Sequence, residues 1–213
     1  ALGPELTAAL KGRGIDRLYS HQKEAFELYQ AGKDFVVTTP TASGKTLCYL
    51  LPILQAKLKN PNGKHLFMFP TKALAQDQLA SYRSYADALQ KVWNVNTFDG
   101  DTPEEERRQV KKAGDFILTN PDMLHSGIMP HHTIWKSFFE NLETIVIDEM
   151  HTYIGVFGSH VANVLRRLNR LCAHYGAKPR YIFCSATIAN PAELAEQLAG
   201  REFSAITESG APE

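Results

Sequence analysis

Short apolar runs alternate along this chain with longer stretches in which apolar side chains recur every three or four positions. The runs Asp34–Thr38, His65–Phe69, Trp93–Phe98, Phe116–Thr119, Thr144–Asp148 and Arg180–Ser185 predict β-strands, and Phe203–Ile206 predicts a seventh. Between them the period changes, and Lys45–Lys59, Lys72–Leu89, Pro103–Lys112, His160–Tyr175 and Pro191–Leu198 predict helices. In the fourth of these, Val161, Val164, Leu165, Leu168, Leu171 and Cys172 repeat at helical spacing, while Arg166, Arg167 and Arg170 fall mostly outside that stripe. Pro52 lies inside the first predicted helix, where a missing backbone donor would bend or end it. Strand and helix in strict alternation predict βαβ units, hence an α/β fold with a mainly parallel sheet flanked by helices on both faces. No repeat or linker divides residues 1–213, so a single domain is expected.

Composition narrows this picture only slightly. The fractions of hydrophobic (44%) and charged (22%) residues are those of a folded globular chain. Lys+Arg and Asp+Glu both number 23, so no net field attracts a polyanion, and any nucleic-acid contact must rest on locally placed donors. Cys48, Cys172 and Cys184 are odd in number and set in apolar runs, which predicts buried thiols in a reducing compartment. No apolar run is long enough to span a bilayer, and Ala1–Glu5 lacks the basic flank of a secretory signal. The expectation is a cytoplasmic protein with no membrane partner, at the nucleoid in a bacterium or in the nucleus of a eukaryote.

The candidate chemistry begins where the first strand runs into Thr39-Pro40-Thr41-Ala42-Ser43-Gly44-Lys45-Thr46 and then into a helix. A tight loop at a helix N-terminus aims backbone N–H groups at phosphate oxygens. Thr41, Ala42, Ser43 and Gly44 would form that cradle, Lys45 would place a charge at the outer phosphates of ATP, and the Thr46 hydroxyl could ligate Mg²⁺. Thr39 stands where the general pattern has its first glycine.

Farther on, the apolar run Ile145–Ile147 delivers Asp148-Glu149-Met150-His151 to the end of a buried strand, which is where α/β sheets bind ligands. Asp148 would hold Mg²⁺ largely through water, and Glu149 would orient and deprotonate an attacking water. His151 would connect this site to the next strand, where Ser185-Ala186-Thr187 offers two hydroxyls, Ser185 and Thr187, for coupling. Near the N-terminus, Gln22 of Tyr19-Ser20-His21-Gln22 has an amide suited to the edge of adenine.

Taken together, Tyr19–Gln22, Thr39–Thr46, Pro70–Gln78, Asp148–His151 and Ser185–Thr187 resemble, in order and spacing, the Q motif and motifs I, Ia, II and III of superfamily 2 helicases. Motif II reads Asp-Glu-Met-His, the DExH form, and Thr119–Leu124 looks like motif Ib. The stretch Thr152–His160, followed by Val161–Arg167 and by Ser185–Pro191, is similar to the mitomycin repair factor A branch of DNA helicases. The resemblance implies a RecA-like P-loop NTPase domain that binds ATP and Mg²⁺ and is the first of two such domains. It also implies that Thr71, Lys72, Gly100, Asp101, Thr119 and Asn120 line the path of one nucleic-acid strand, taken to be DNA. Tyr153 and Phe157 either stack on a base or belong to the core.

Nothing after Thr187 resembles the second domain or its arginine finger, which can supply about 10³–10⁵ in turnover. This chain alone is therefore expected to bind ATP weakly and to hydrolyse it very slowly. An RNA helicase or a duplex translocase would carry much the same residues; against a nucleotide-responsive binding module, the other alternative, count Lys45, Asp148 and Glu149, since such a module has no need of a general base. His125, His131 and His132 lack the cysteine or carboxylate spacing of a closed metal site.

Overall fold

In a computed structural model, which describes residues 1–40 and 42–211, all seven predicted strands join one sheet. They are β1 (Phe35–Val37), β2 (Lys64–Met68), β3 (Val95–Thr97), β4 (Phe116–Thr119), β5 (Leu142–Ile147), β6 (Arg180–Cys184) and β7 (Ser204–Ile206). Every pairing is parallel, in the order β3-β4-β2-β5-β6-β1-β7. The C-terminal ends of β1, β2, β4, β5 and β6 therefore lie along one edge, and each leads into one of the motifs.

Successive strand residues face opposite sides, so the sheet divides the core in two. Phe35, Val37, Phe67, Leu118, Val146 and Ile182 pack beneath α1 (Pro4–Gly12), α2 (Ser20–Gln30), α3 (Lys45–Lys59) and α4 (Lys72–Ala88). Val36, Leu66, Ile117, Ile145 and Tyr181 face the other way. They meet α5 (Glu104–Ala113), α7 (Lys136–Glu140), α8 (Gly155–His174) and α9 (Pro191–Ala199). On that side the short α6 (Pro121–Met123) continues into a π-helical turn, Leu124–Ile128, and a 3₁₀ turn, Met129–His131.

Several boundaries differ from expectation for identifiable reasons. Pro52 does not end α3: the helix runs through to Lys59 with Cys48–Gln55 buried, and that burial outweighs one lost backbone bond of about 3 kcal/mol. The α8 helix starts at Gly155, five residues before the apolar stripe suggests. Gly158 in its first turn is required there, because a Cβ would lie 2.5 Å from the Tyr153 carbonyl oxygen. Strand β5 starts two residues early, and its regular pairing stops at Ile147, which leaves Asp148 in the loop. Helices α1, α6 and α7 have no counterpart in the sequence pattern.

Candidate nucleotide-binding site

The loop after β1 approaches α3 through two residues in the left-handed region, Ala42 (φ 67°) and Gly44 (φ 75°). Gly44 suits this conformation, while Ala42 carries a strain of about 1–2 kcal/mol. A Cβ at 44 would also sit 2.6 Å from the Gln22 amide nitrogen and displace that side chain. Thr39, at the position of the missing first glycine, contributes a bond instead: its hydroxyl meets the Ser43 hydroxyl at 2.5 Å, both groups buried. Lys45 bridges the loop to β6, donating to the carbonyls of Thr39 and Ser185, each at 3.0 Å. Thr46 follows in the first turn of α3. Thr41 lies outside the described residues.

Across the edge, Asp148 hangs from the end of β5, with its backbone N–H bonded to Met68 of β2. Its carboxylate accepts the Glu149 N–H at 2.8 Å. Crowding by protein atoms removes water from this carboxyl and pushes its pKa up to about 6; the Glu149 charge adds to the rise, while the Glu149 N–H and Lys45 oppose it. Glu149 itself is held at φ 54°, a costly conformation for a residue with a Cβ.

His151 joins these acids to the loop after β6. Its Nδ1 accepts the Ala186 N–H at 3.0 Å and lies 3.3 Å from the Ser185 hydroxyl. In the neutral ring the proton must then reside on Nε2, which lies 3.1 Å from the Glu149 carboxylate. Ser185 also donates to the Ala186 carbonyl, and Thr187 is exposed just beyond. Lys45, Asp148, Glu149, His151 and Ser185 thus form one connected cluster.

The family model for DEAD/DEAH box helicases matches residues 19–194, which include every motif just described. This chain belongs to the DEAD/DEAH box helicase family. It is 54% identical over 212 residues to an ATP-dependent helicase of Bacillus subtilis, YprA, covering 100% of this chain and 28% of that protein. The ATP-dependent helicase HRQ1 of Saccharomyces cerevisiae is 40% identical over 216 residues, 99% of this chain and 20% of its own length. A crystal structure of the DUF1998 helicase MrfA bound to DNA and AMPPNP superposes with a TM-score of 0.97 at 55% identity, covering 99% of this chain and 30% of that one. The chain spans less than a third of these relatives, and its fold is the RecA-like helicase fold.

In this helicase domain Gln22 is buried, and both ends of its amide are engaged. Its oxygen accepts the Tyr19 N–H at 2.9 Å and its nitrogen donates to the Gly44 carbonyl at 3.2 Å. Gln22 therefore braces the phosphate loop here, and would have to turn to meet adenine. Its neighbour His21, a residue to which the sequence reading gave no role, is also a brace. Its Nδ1 accepts the Gly210 N–H at 3.1 Å, so Nε2 carries the proton and donates to the Ser43 carbonyl at 2.7 Å. Adjacency to Gln22 was the only signal for it in the sequence.

The residues expected along the nucleic-acid path behave unequally. Thr71, Lys72, Gly100 and Asn120 line one groove of about 540 Å³ together with Met123 and Ser126. Thr71 and Asn120 cap α4 and α6 through their side chains. Asp101 pairs with Lys72 at 3.1 Å, both side chains well exposed, so a phosphate at Lys72 must displace a carboxylate. Thr119 is buried and donates its hydroxyl to the Phe98 carbonyl at 2.7 Å, which ties β4 to the turn after β3. Tyr153 is a core residue, 1% exposed, and its ring lies 5.3 Å from that of Phe157, which is partly exposed.

Among the described residues no group of three or more His, Cys, Asp or Glu side chains is placed to hold a metal, the loop histidines included. No helix there is long and apolar enough to cross a membrane.

Proposed function

We propose that this chain is the ATP-binding motor domain of an ATP-dependent DNA helicase, acting with a second RecA-like domain of a longer protein and serving DNA repair. The observation that carries this reading is the cluster at one sheet edge. A strained, glycine-capped loop, a lysine held by two carbonyls, and a water-poor carboxylate beside a glutamate and a histidine all meet there. An ATP phosphate would take Lys45 from its two carbonyls and the Ser43 N–H from the Pro40 carbonyl.

A bound Mg²⁺ would neutralise phosphate charge; Thr46 and Asp148 are the residues to hold it, with phosphates and water completing the shell. Glu149 is the base for the attacking water, oriented by the Nε2–H of His151. Through Ser185, Ala186 and Thr187 the same histidine couples the site to the neighbouring strand. Thr71, Lys72, Gly100, Asp101, Thr119 and Asn120 build the edge that follows a DNA strand through its phosphates, without reading sequence. Residues 1–213 act as one domain, and its three buried free thiols suit a reducing, intracellular compartment.

Calorimetry with a non-hydrolysable ATP analogue, with and without Mg²⁺, followed by turnover assays with single-stranded DNA or RNA, tests this. Weak, Mg²⁺-dependent binding with negligible turnover is expected. Absence of binding would overturn the site. Robust turnover by the chain alone would overturn the need for a second domain, and stimulation by RNA but not DNA would reassign the substrate.

A further inference from the structure

We propose that the groove between α8 and the turns after α6 is a second binding site for a nucleic-acid backbone, continuing the path that begins at Thr71 and Lys72. The inference rests on the motor reading above and adds a surface that none of the motifs contains.

The first observation is electrostatic. Although the chain is neutral overall, no acidic residue occurs between Glu149 and Glu193, whereas Arg166, Arg167, Arg170, Lys178 and Arg180 do. Three of these arginines lie exposed on α8, and none has a carboxylate within 4 Å; arginine ion pairs among the described residues involve Arg108 and Arg201. A positive strip of this kind gives local attraction for a polyanion without any net charge.

The second observation is shape. Arg167 and Arg170 stand with His132 and His174 around a groove of about 400 Å³ whose apolar wall is Met129 and Leu171. No carboxylate lines it. No aromatic ring apart from imidazole does so either, so the groove suits phosphate and sugar rather than a stacked base. Guanidinium forks match phosphate oxygens in pairs, which ammonium groups do not.

The third observation is continuity. Arg167 donates to His125 Nδ1 at 2.6 Å, so it is anchored by a neutral acceptor and keeps its charge uncompensated. His125 sits in the π-helical turn beside Ser126, and Ser126 lines the groove of Thr71, Lys72 and Asn120. The His125–Arg167 bond therefore links the turn that walls one groove to the helix that walls the other, and the exposed Asp122, 3.5 Å from His160, is the carboxylate beside that link. The irregular turn brings His125 out to α8, where a regular continuation of α6 would change the register of its side chains.

Fluorescence anisotropy of this chain with labelled single-stranded DNA over a salt series tests the proposal. The variants are Arg167→Ala/Arg170→Ala and its charge-retaining counterpart Arg167→Lys/Arg170→Lys, with Lys72→Ala as the control for the motif edge. Both arginines are exposed, so an unchanged thermal midpoint is expected. Removing two phosphate contacts should lower the salt slope by roughly 1.4 on long oligonucleotides, while the lysine pair restores most of it. An oligonucleotide too short to leave the motif edge should respond to Lys72→Ala alone. If long DNA binds, Lys72→Ala weakens it and the alanine pair matches wild type, the groove proposal fails while the motor reading stands; those arginines then serve another occupant, such as an acidic protein surface. If the wild-type chain binds no DNA at low salt, both fail.

Discussion

The two edges of the single sheet hold buried charges in opposite ways. At the edge where strands begin, the Lys57 ammonium is fully enclosed and donates to the Pro61 and Gly63 carbonyls at 2.6 and 2.8 Å and to Asp115 at 2.7 Å. Asp115 also accepts from Lys64 at 3.0 Å and from the Asn94 N–H at 2.9 Å. Burial pulls the Lys57 pKa down, though its bond to Asp115 resists. Burial would raise that of Asp115, but the Lys57, Asn94 and Lys64 bonds outweigh it and hold the carboxyl below its usual range. Lys57 and Asp115 are thus each compensated from within the protein.

At the edge where strands end, Asp148 has its pKa raised, Ala42 and Glu149 have strained backbones, and Lys45 is parked on carbonyls. One edge is solved internally; the other is solved only when a charged ligand arrives. Perturbed charge alone does not mark a functional site; what distinguishes the two edges is whether the perturbation is already compensated.

That contrast can be broken most forcefully at Asp115. Asp115→Ala leaves Lys57 enclosed without its counter-charge and should cost about 3–5 kcal/mol in urea unfolding, with nucleotide affinity of the folded fraction unchanged. A loss below about 1 kcal/mol would mean that this edge is not closed as described. Lys45→Ala should do the reverse: roughly 100-fold weaker ATP-analogue binding by calorimetry, about 3 kcal/mol, with stability within roughly 1 kcal/mol of wild type. Unchanged affinity would remove the phosphate site from this edge.

Asp148→Asn sharpens the comparison further, because it should stabilise the protein while abolishing the Mg²⁺ dependence of binding. The native pKa of about 6 lies above the unfolded value, so Asp148 costs stability as pH rises from about 4 through 6. The variant should gain roughly 1–3 kcal/mol at pH 7 and lose that pH dependence. A destabilised variant would show that the carboxylate is structural.

The smallest effect is expected at His65, enclosed near Lys57 with neither ring nitrogen bonded; Glu143, at 3.9 Å, is too distant to help. Burial, with the Lys57 charge, lowers its pKa to about 3, so the neutral ring costs stability as pH falls from 6.5 towards 3. His65→Leu should gain about 1 kcal/mol at neutral pH and flatten that acid limb in denaturation curves. A loss of stability would mean that the ring is satisfied after all.

Strands and motifs were legible in the sequence because each depends on local pattern: a buried parallel strand is a short apolar run, and Gly44-Lys45-Thr46 or Asp148-Glu149 are adjacent residues. What escaped depends on partners distant in the chain. The start of α8 was hidden by Gly155 and Gly158, poor helix formers: Gly155 holds φ 60°, and a Cβ at Gly158 would meet the Tyr153 carbonyl. Helix α7 is five residues long, too short for a period to register, and α1 is held by Leu6 and Leu10 in a core built mostly by later elements. The braces on the phosphate loop, His21 from one side and Lys45 to Ser185 from the other, join residues 22 and 140 positions apart. Adjacent letters cannot reveal such contacts.

Strand order also has a consequence for how the molecule comes into being. The first strand made, β1, pairs only with β6 and β7, the last two to be made. During synthesis the phosphate loop therefore waits, without its sheet neighbours, until almost the whole domain has been translated, whereas β2, β3, β4 and β5 can assemble earlier. Within this domain, nucleotide binding should be acquired only after the other strands have assembled, and the slow closure of that long-range pairing should limit the domain's refolding rate.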